Sequence, residues 1–249
     1  MLPLSIITVT YNAGNTIEST LKSVAEQTTR NFEHIIIDGK STDNTLDIIS
    51  HYTYPELKIN SEKDTGIYDA MNKGLKAAEG RFVIFLNAGD RFSSPMGVDK
   101  IIKAMNDNPE ADVLYGQTEI IDSSGKILGG RHLTAPRHLD KKSFAHGMTV
   151  CHQAFVAKKE LADCYDLSYR FSADYDWCIR ILDKAKQNVY LGDKPLIQYL
   201  NEGTTSRNHF KSLLERYRIM CKHYGAVSTT LRHADFLLRA IKRKFNRTK

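Results

Sequence analysis

Cysteine is scarce: Cys151, Cys164, Cys178 and Cys221 are the only four in 249 residues, and no two form a C-x-x-C pair. That spacing excludes a zinc ribbon and supplies no disulfide framework, so all four are read as buried thiols. Tryptophan occurs once and proline six times, which leaves no proline-rich linker or collagen-like tract. Long apolar runs are missing too. The first, Leu4 to Val9, is broken by Ser5 and Thr8 and follows no basic leader. It falls far short of a secretory h-region or a ~20-residue membrane span, and a cytosolic location is expected. Phosphate-binding glycine loops are also absent. There is no G-x-x-x-x-G-K-[ST], and Tyr11-Asn12-Ala13-Gly14 stands where a dinucleotide fingerprint would need G-x-G-x-x-G. The nine histidines show no H-E-x-x-H spacing, so no dedicated zinc site is expected.

What remains is an ordinary folded composition, 41% apolar and 26% charged, in a chain long enough to enclose an active-site cleft. The net charge of +6 is uneven, because residues 207–249 hold twelve Lys or Arg against only Glu215 and Asp235. The remainder is therefore acidic, and the cationic end points to an anionic partner, a lipid surface or a nucleic acid. No RNP-like aromatic pattern or recognition helix accompanies those charges, and nucleic acid is not the expected partner. The chain divides into a body over 1–206 and basic amphipathic helices over 207–249.

Short β-branched runs alternate with amphipathic stretches, which predicts an α/β fold with a doubly wound, mostly parallel sheet flanked by helices. Strands are expected at Leu4 to Val9, Glu33 to Asp38, Leu57 to Ser61 and Arg81 to Leu86. The intervening helices are Asn15 to Gln27 with Asn15 as N-cap, Thr42 to His51, and Ile67 to Ala78. A helix opening at Ser94-Pro95, a strand at Asp112 to Tyr115 and a hairpin around Ser123-Ser124-Gly125 follow. Residues 130–150 read as a loop-rich segment that borders an acceptor site. Beyond it come a strand from Cys151 to Ala157, a helix from Asp174 to Lys186, and short strands at Val189 to Leu191 and Leu196 to Leu200. Two tail helices close the chain, the first presenting Phe210, Leu213, Leu214, Tyr217, Met220, Cys221 and Tyr224, the second Leu231, Ala234, Leu238, Ile241 and Phe245.

Ligands of open α/β sheets bind beyond the carboxyl ends of the strands. Those ends are rich in acids and amides: Thr8 to Asn12, Asp38 to Asp43, Glu62 to Gly66 and Asn87 to Asp90. Any one Asp or Asn is a turn former, but Asp38, Asp64 and Asp90 on one rim suit hydrogen bonding to a nucleoside and ligation of a hard cation. In the helix after Phe171, spacing puts Asp174 on the face of Trp177, Cys178 and Ile181, and Asp176 outside with Arg180 and Lys184. An inward acid in a first turn is either an N-cap or a general base, and spacing alone leaves both open.

Five blocks in order resemble the family 2 glycosyltransferases of the GT-A fold, bacterial enzymes that build surface polysaccharides from nucleotide sugars. They are Ser5 to Asn12, Asp38 to Asp43, Asp64 to Gly74, Phe85 to Asp90 and Ala173 to Asp176. The resemblance implies an inverting transfer from a nucleoside-diphosphate sugar, a UDP-sugar by the family's habit, to a saccharide or lipid-linked acceptor at the cytosolic membrane face. It implies donor contacts from Thr8, Tyr11, Asn12, Asp38, Asp64 and Asn87, and a catalytic base at Asp174. It also implies a divalent cation, Mn²⁺ or Mg²⁺, at Asp90. The chain departs from the family's D-x-D, since Asn87-Ala88-Gly89-Asp90 retains only one carboxylate. Cys151-His152-Gln153-Ala154 resembles the block beside the acceptor, which makes His152 an acceptor-binding candidate. The alternatives are a catalytically degenerate nucleotide-sugar binder, motivated by Asn87 and Gly89, and a nucleic-acid-binding protein driven by the basic tail.

Overall fold

Leu4–Thr10 (β1) and Glu33–Asp38 (β2) are buried along their whole length in the computed structural model, as a strand covered on both faces must be. The structure describes residues 2–201 and 209–233. Leu57–Ser61 (β3) flanks β2, and Phe82–Phe85 (β4) lies on the other side of β1, all four strands parallel. Helices Ile17–Ala25 (α1), Thr45–Ser50 (α2) and Ile67–Ala77 (α3) make the crossovers. Chain order thus runs outward from β1 to β3 and then jumps back across to β4. That reversal opens a crevice beyond the carboxyl ends of β1 and β4.

The second half extends the same sheet. Arg91–Phe92 (β5), helix Gly97–Asp107 (α4), and the hairpin of Val113–Ile121 (β6) with Ile127–Gly130 (β7) precede Phe155–Lys158 (β8). Helix Ala173–Lys184 (α5) leads into Asn188–Leu200 (β9), and His209–Tyr224 (α6) follows. The sheet order is β3-β2-β1-β4-β8-β6-β9-β5, with β8 antiparallel to both β4 and β6. The pleat divides the core by alternation. Ile7, Val9, Ile35, Ile37, Val83 and Phe85 face α3 and α5, while Ile6, Ile84 and Leu114 face α4. Gly74 brings α3 close to β1, since a Cβ there would sit 2.4 Å from Ile7 Cγ2.

Several expectations are corrected. Helix α1 starts after Thr16 rather than Asn15, and Thr16 makes no side-chain cap bond. Cys151 to Ala154 is not strand, because His152–Ala154 forms a turn of 3₁₀ helix before β8. The two short strands near 190 and 198 are one, β9, whose register against β6 shifts near Gln117. Of the cysteines, Cys151 and Cys178 are buried but Cys164 is exposed.

Asp176 is fully buried rather than on the outer face, paired with Arg180, Lys222 and His223. Those partners rotate α6. Ser212, Ile219 and Met220 face the core, and Leu213 and Leu214 of the expected apolar stripe are 46% and 45% exposed. Ile219 and Met220 belong to the same cluster as Trp177 and Phe85, so α6 shares the core of the body that precedes it. Residues 226–233 are helical, and the rest of the second tail helix lies outside the described residues. Among the described residues no helix is long and apolar enough to cross a membrane.

Candidate active site

A cavity of about 530 Å³ occupies the crevice beyond β1 and β4. Its wall includes Tyr11, Asp64, Asn87, Asp90, His152 and Asp174 among the expected site residues. Residues 130–150 contribute nothing to that wall, so the loop-rich segment does not border the cavity.

Thr8, Asn12 and Asp38 stand behind the cavity. Thr8 Oγ1 donates to the Leu86 carbonyl at 2.8 Å and lies 2.8 Å from His34 Nε2, wholly buried. It ties β1 to its neighbours and is not part of the cavity wall. Asp38 is equally buried, accepting from the Ser41 amide at 3.0 Å, the Ser41 hydroxyl at 2.5 Å and the Ser61 hydroxyl at 2.6 Å. Asn12 has φ of 47° and staples the first loop to the second, its amide donating to Ser41 Oγ and its Oδ1 accepting from the Thr42 amide, both at 2.8 Å. A left-handed non-glycine residue of this kind persists only where surrounding bonds over-determine it. The loops so held present Tyr11, 63% exposed, beside Asp64. Gly39 makes room for both, because a Cβ there would lie 2.4 Å from Asp64 Oδ2 and 3.3 Å from the Tyr11 ring.

At the floor, Asn87-Ala88-Gly89-Asp90 makes a turn that needs glycine. Gly89 has φ of +99°, and a Cβ would meet Leu200 Cδ2 at 2.5 Å. An aspartate in place of Gly89 would be strained at that φ, which accounts for the glycine of the motif though not for Asn87. Asp90 is buried, accepts the Leu200 amide at 2.9 Å, and has no ion pair among the described residues. Burial pushes its carboxyl up to about 7 against the lowering effect of the Leu200 amide and Gln153. Asn87 Oδ1 is buried without a hydrogen-bond partner.

Asp174 stands across the cavity in the first turn of α5. Its Oδ1 accepts from Tyr68 Oη at 3.0 Å and from the Tyr175 amide at 3.0 Å. Burial, and then Asp174 itself, push the Tyr68 phenol well above its ordinary value, so Tyr68 remains a donor. His152 stacks on Phe85 at 5.0 Å and lies 2.6 Å, Nε2 to Oη, from Tyr165. Burial lowers its imidazole to about 4, despite Asp174 acting the other way. It is neutral at pH 7, with its Nε2 already engaged by Tyr165.

Sequence reasoning missed Gln153, Arg170, Phe171 and Tyr199, which also line the cavity. Gln153 and Tyr68 lay inside blocks already singled out. Arg170 and Phe171 immediately precede α5, and their backbone amides donate to Glu215 of α6 at 2.9 and 2.8 Å. Nothing local in the sequence marks a carboxylate 44 residues away as the clamp on that loop.

The sequence pattern of the family described as "Glycosyl transferase family 2" matches residues 5–165. This chain belongs to that family. A PGL/p-HBAD biosynthesis glycosyltransferase of Mycobacterium bovis is 33% identical over 182 residues, 71% of this chain and 68% of the relative. The Escherichia coli UDP-Glc:alpha-D-GlcNAc-diphosphoundecaprenol beta-1,3-glucosyltransferase WfgD is 26% identical over 87% of this family 2 glycosyltransferase and 85% of its own length. Among solved structures, S. aureus TarS 1–349 in complex with UDP-GlcNAc superposes with a TM-score of 0.71 at 19% identity, covering 94% of this chain and 71% of that one. The Pyrobaculum calidifontis mannosyltransferase PcManGT, in complex with GDP-Man and Mn²⁺, gives 0.62 at 14% identity, with 93% and 74% covered. These two show the same GT-A type fold for this glycosyltransferase.

Proposed function

We propose that this glycosyltransferase moves a sugar, with inversion, from a nucleoside-diphosphate sugar to an acceptor hydroxyl, with Asp174 as general base. The observation that carries the reading is one cavity at the sheet reversal whose wall gathers Tyr11, Asp64 and Asp174. Both hydrogen bonds that Asp174 accepts among the described residues fall on Oδ1, which leaves Oδ2 for the acceptor. That oxygen takes the hydroxyl proton as the acceptor oxygen attacks the anomeric carbon. The bond from that carbon to the diphosphate breaks, and the nucleoside diphosphate departs with the electron pair. Tyr68 keeps the carboxylate oriented. Tyr11 offers an exposed ring for stacking on the base and Asp64 an acceptor for a sugar or ribose hydroxyl, with Thr8, Asn12 and Asp38 holding the loops that present them.

The residues present suit a divalent cation held mainly by its ligand. No group of three or more His, Cys, Asp or Glu is arranged for a metal among the described residues. Yet Asp90 is a buried carboxylate without a counter-charge, and Asn87 Oδ1 is an orphaned buried oxygen beside it in the wall. These two would hold Mn²⁺ or Mg²⁺ together with diphosphate oxygens and water. When bound, the ion would neutralise charge on the leaving diphosphate.

UDP is the favoured nucleotide, because the names of WfgD and of the TarS complexes carry UDP or a UDP-sugar. The name of WfgD likewise supports a lipid-linked saccharide as acceptor. Exposed Val227 and Leu231, together with the cationic balance of residues 207–249, support contact with an anionic membrane at its cytosolic face. The test is thermal stability with UDP, GDP, CDP and dTDP sugars, each with and without Mn²⁺, in wild type and Asp174→Asn. A nucleotide at 100 times its Kd stabilises by ~2.7 kcal/mol. The variant is expected to keep that shift while transfer falls about 100-fold or more. Equal loss of both, or transfer unaffected, would remove Asp174 as the base.

A further inference from the structure

Three carboxylates, Asp64, Asp90 and Asp174, line the cavity, and Arg170 is the only Lys or Arg among the described residues of its wall. None of the three pairs with it. Among the described residues the Arg170 guanidinium has no ion pair or hydrogen bond, and it lies over the Phe171 ring, 6.0 Å from guanidinium carbon to centroid. The side chain is exposed, but its backbone is not free to wander. Glu215 accepts from the amides of Arg170 and Phe171, and Ser172 Oγ lies 3.1 Å from Ser212 Oγ. The loop is therefore bolted to α6 on one side and runs into α5 on the other.

An acid-lined cavity repels an anionic ligand unless a fixed positive charge receives it. We infer that Arg170 is a phosphate-binding position at the base end of the cavity, its planar fork engaging phosphate oxygens that enter beside Asp174. The inference rests on the nucleotide-sugar reading above and adds to it a residue and a ligand class. The phosphate has two sources of the same chemistry, the diphosphate of the donor or the diphosphate of a lipid-linked acceptor. An arginine matches such a group in a bidentate manner that a lysine does not reproduce.

Calorimetric titration of the full chain distinguishes them. Wild type, Arg170→Gln and Arg170→Lys are titrated with UDP, GDP, CDP and dTDP, with the matching nucleoside, and with a short prenyl diphosphate against its prenol. A charge-assisted hydrogen bond corresponds to a loss of about 10- to 100-fold in affinity. Loss of that size in Arg170→Gln for a nucleoside diphosphate, with the nucleoside unaffected, assigns Arg170 to the donor. The same loss for the prenyl diphosphate, with its prenol and the nucleotides unaffected, assigns it to the acceptor. Arg170→Lys should lie between. Nucleotide and prenyl diphosphate affinities within twofold of wild type in Arg170→Gln overturn the inference and leave the nucleotide-sugar reading standing. No binding of any diphosphate by wild type removes both.

Discussion

His223 Nε2 of α6 lies 2.7 Å from Oδ1 of Asp176, a fully buried carboxylate two residues beyond Asp174. Arg180 Nε, 2.7 Å from Oδ2, completes the pair's surroundings with Lys222 at 3.3 Å. Burial alone would raise Asp176, but His223, Arg180 and Lys222 outweigh it and hold the carboxyl well below its ordinary value. The helix that carries the proposed base is thus locked to α6 by charge as well as by apolar packing.

Asp176→Ala removes the buried carboxylate on which Arg180, Lys222 and His223 converge, and a loss of roughly 3–5 kcal/mol is expected. Asp107→Ala, which breaks the exposed pair with Lys103, should cost under about 1 kcal/mol. Urea unfolding of both variants checks the contrast. Equal, small losses would show that the α5–α6 junction is held by packing alone.

Stability should fall on mild acidification, with His34 a main cause. Burial lowers its imidazole to about 3, so the folded protein stays neutral there while the unfolded chain takes up a proton below about 6.5. The contribution is whole above 6.5 and is lost as pH falls toward 3, by about 2 kcal/mol between pH 7.5 and 5. His152, lowered to about 4, acts in the same direction. Asp90, raised to about 7, opposes them, since the folded state takes its proton first. His34→Gln isolates one contribution: its stability difference between the two pH values should be smaller than wild type's by that amount.

Asp90→Asn should move two readouts in opposite directions. At pH 8 the wild type keeps a buried carboxylate ionised without a cation, so the amide raises the thermal midpoint of the ligand-free protein. The Mn²⁺-dependent part of any nucleotide shift should disappear. A variant that is less stable at pH 8 yet retains the Mn²⁺ effect would show that Asp90 is neither strained nor a ligand.

Vesicle sedimentation tests the membrane contact. Val227→Glu with Leu231→Glu, at positions 77% and 67% exposed, should cut binding to anionic vesicles by about tenfold and leave nucleotide binding intact. Raising salt from 0.1 to 1 M should weaken wild-type binding as the screening length shortens from about 10 to 3 Å. Vesicle binding identical in the variant would exclude this patch.

The strand–helix alternation through Leu86 was legible because each element carried its own period, and the blocks at strand ends pointed to the right edge of the sheet. What local pattern could not supply was the use of each side chain. Asp38 and Asp64 read alike as acids after strands, yet Ser41 and Ser61 saturate Asp38 while Asp64 faces the cavity. The first tail helix showed an apolar stripe through Leu213 and Leu214. The buried charge of Asp176 overrode it by drawing Lys222 and His223 inward. Arg170 stayed invisible because its clamp, Glu215, is distant in the chain.

The cavity wall is drawn from residues 9–90 and 152–200, with none from the 61 residues between. The hairpin and α4 therefore build the scaffold without touching either substrate under the proposed reading. Substitutions in that middle stretch should therefore act through folding rather than through the cavity wall. Exchange of the second stretch between relatives, with a junction near residue 150, would carry Arg170 and Asp174 together and leave the loops of Tyr11 and Asp64 in place.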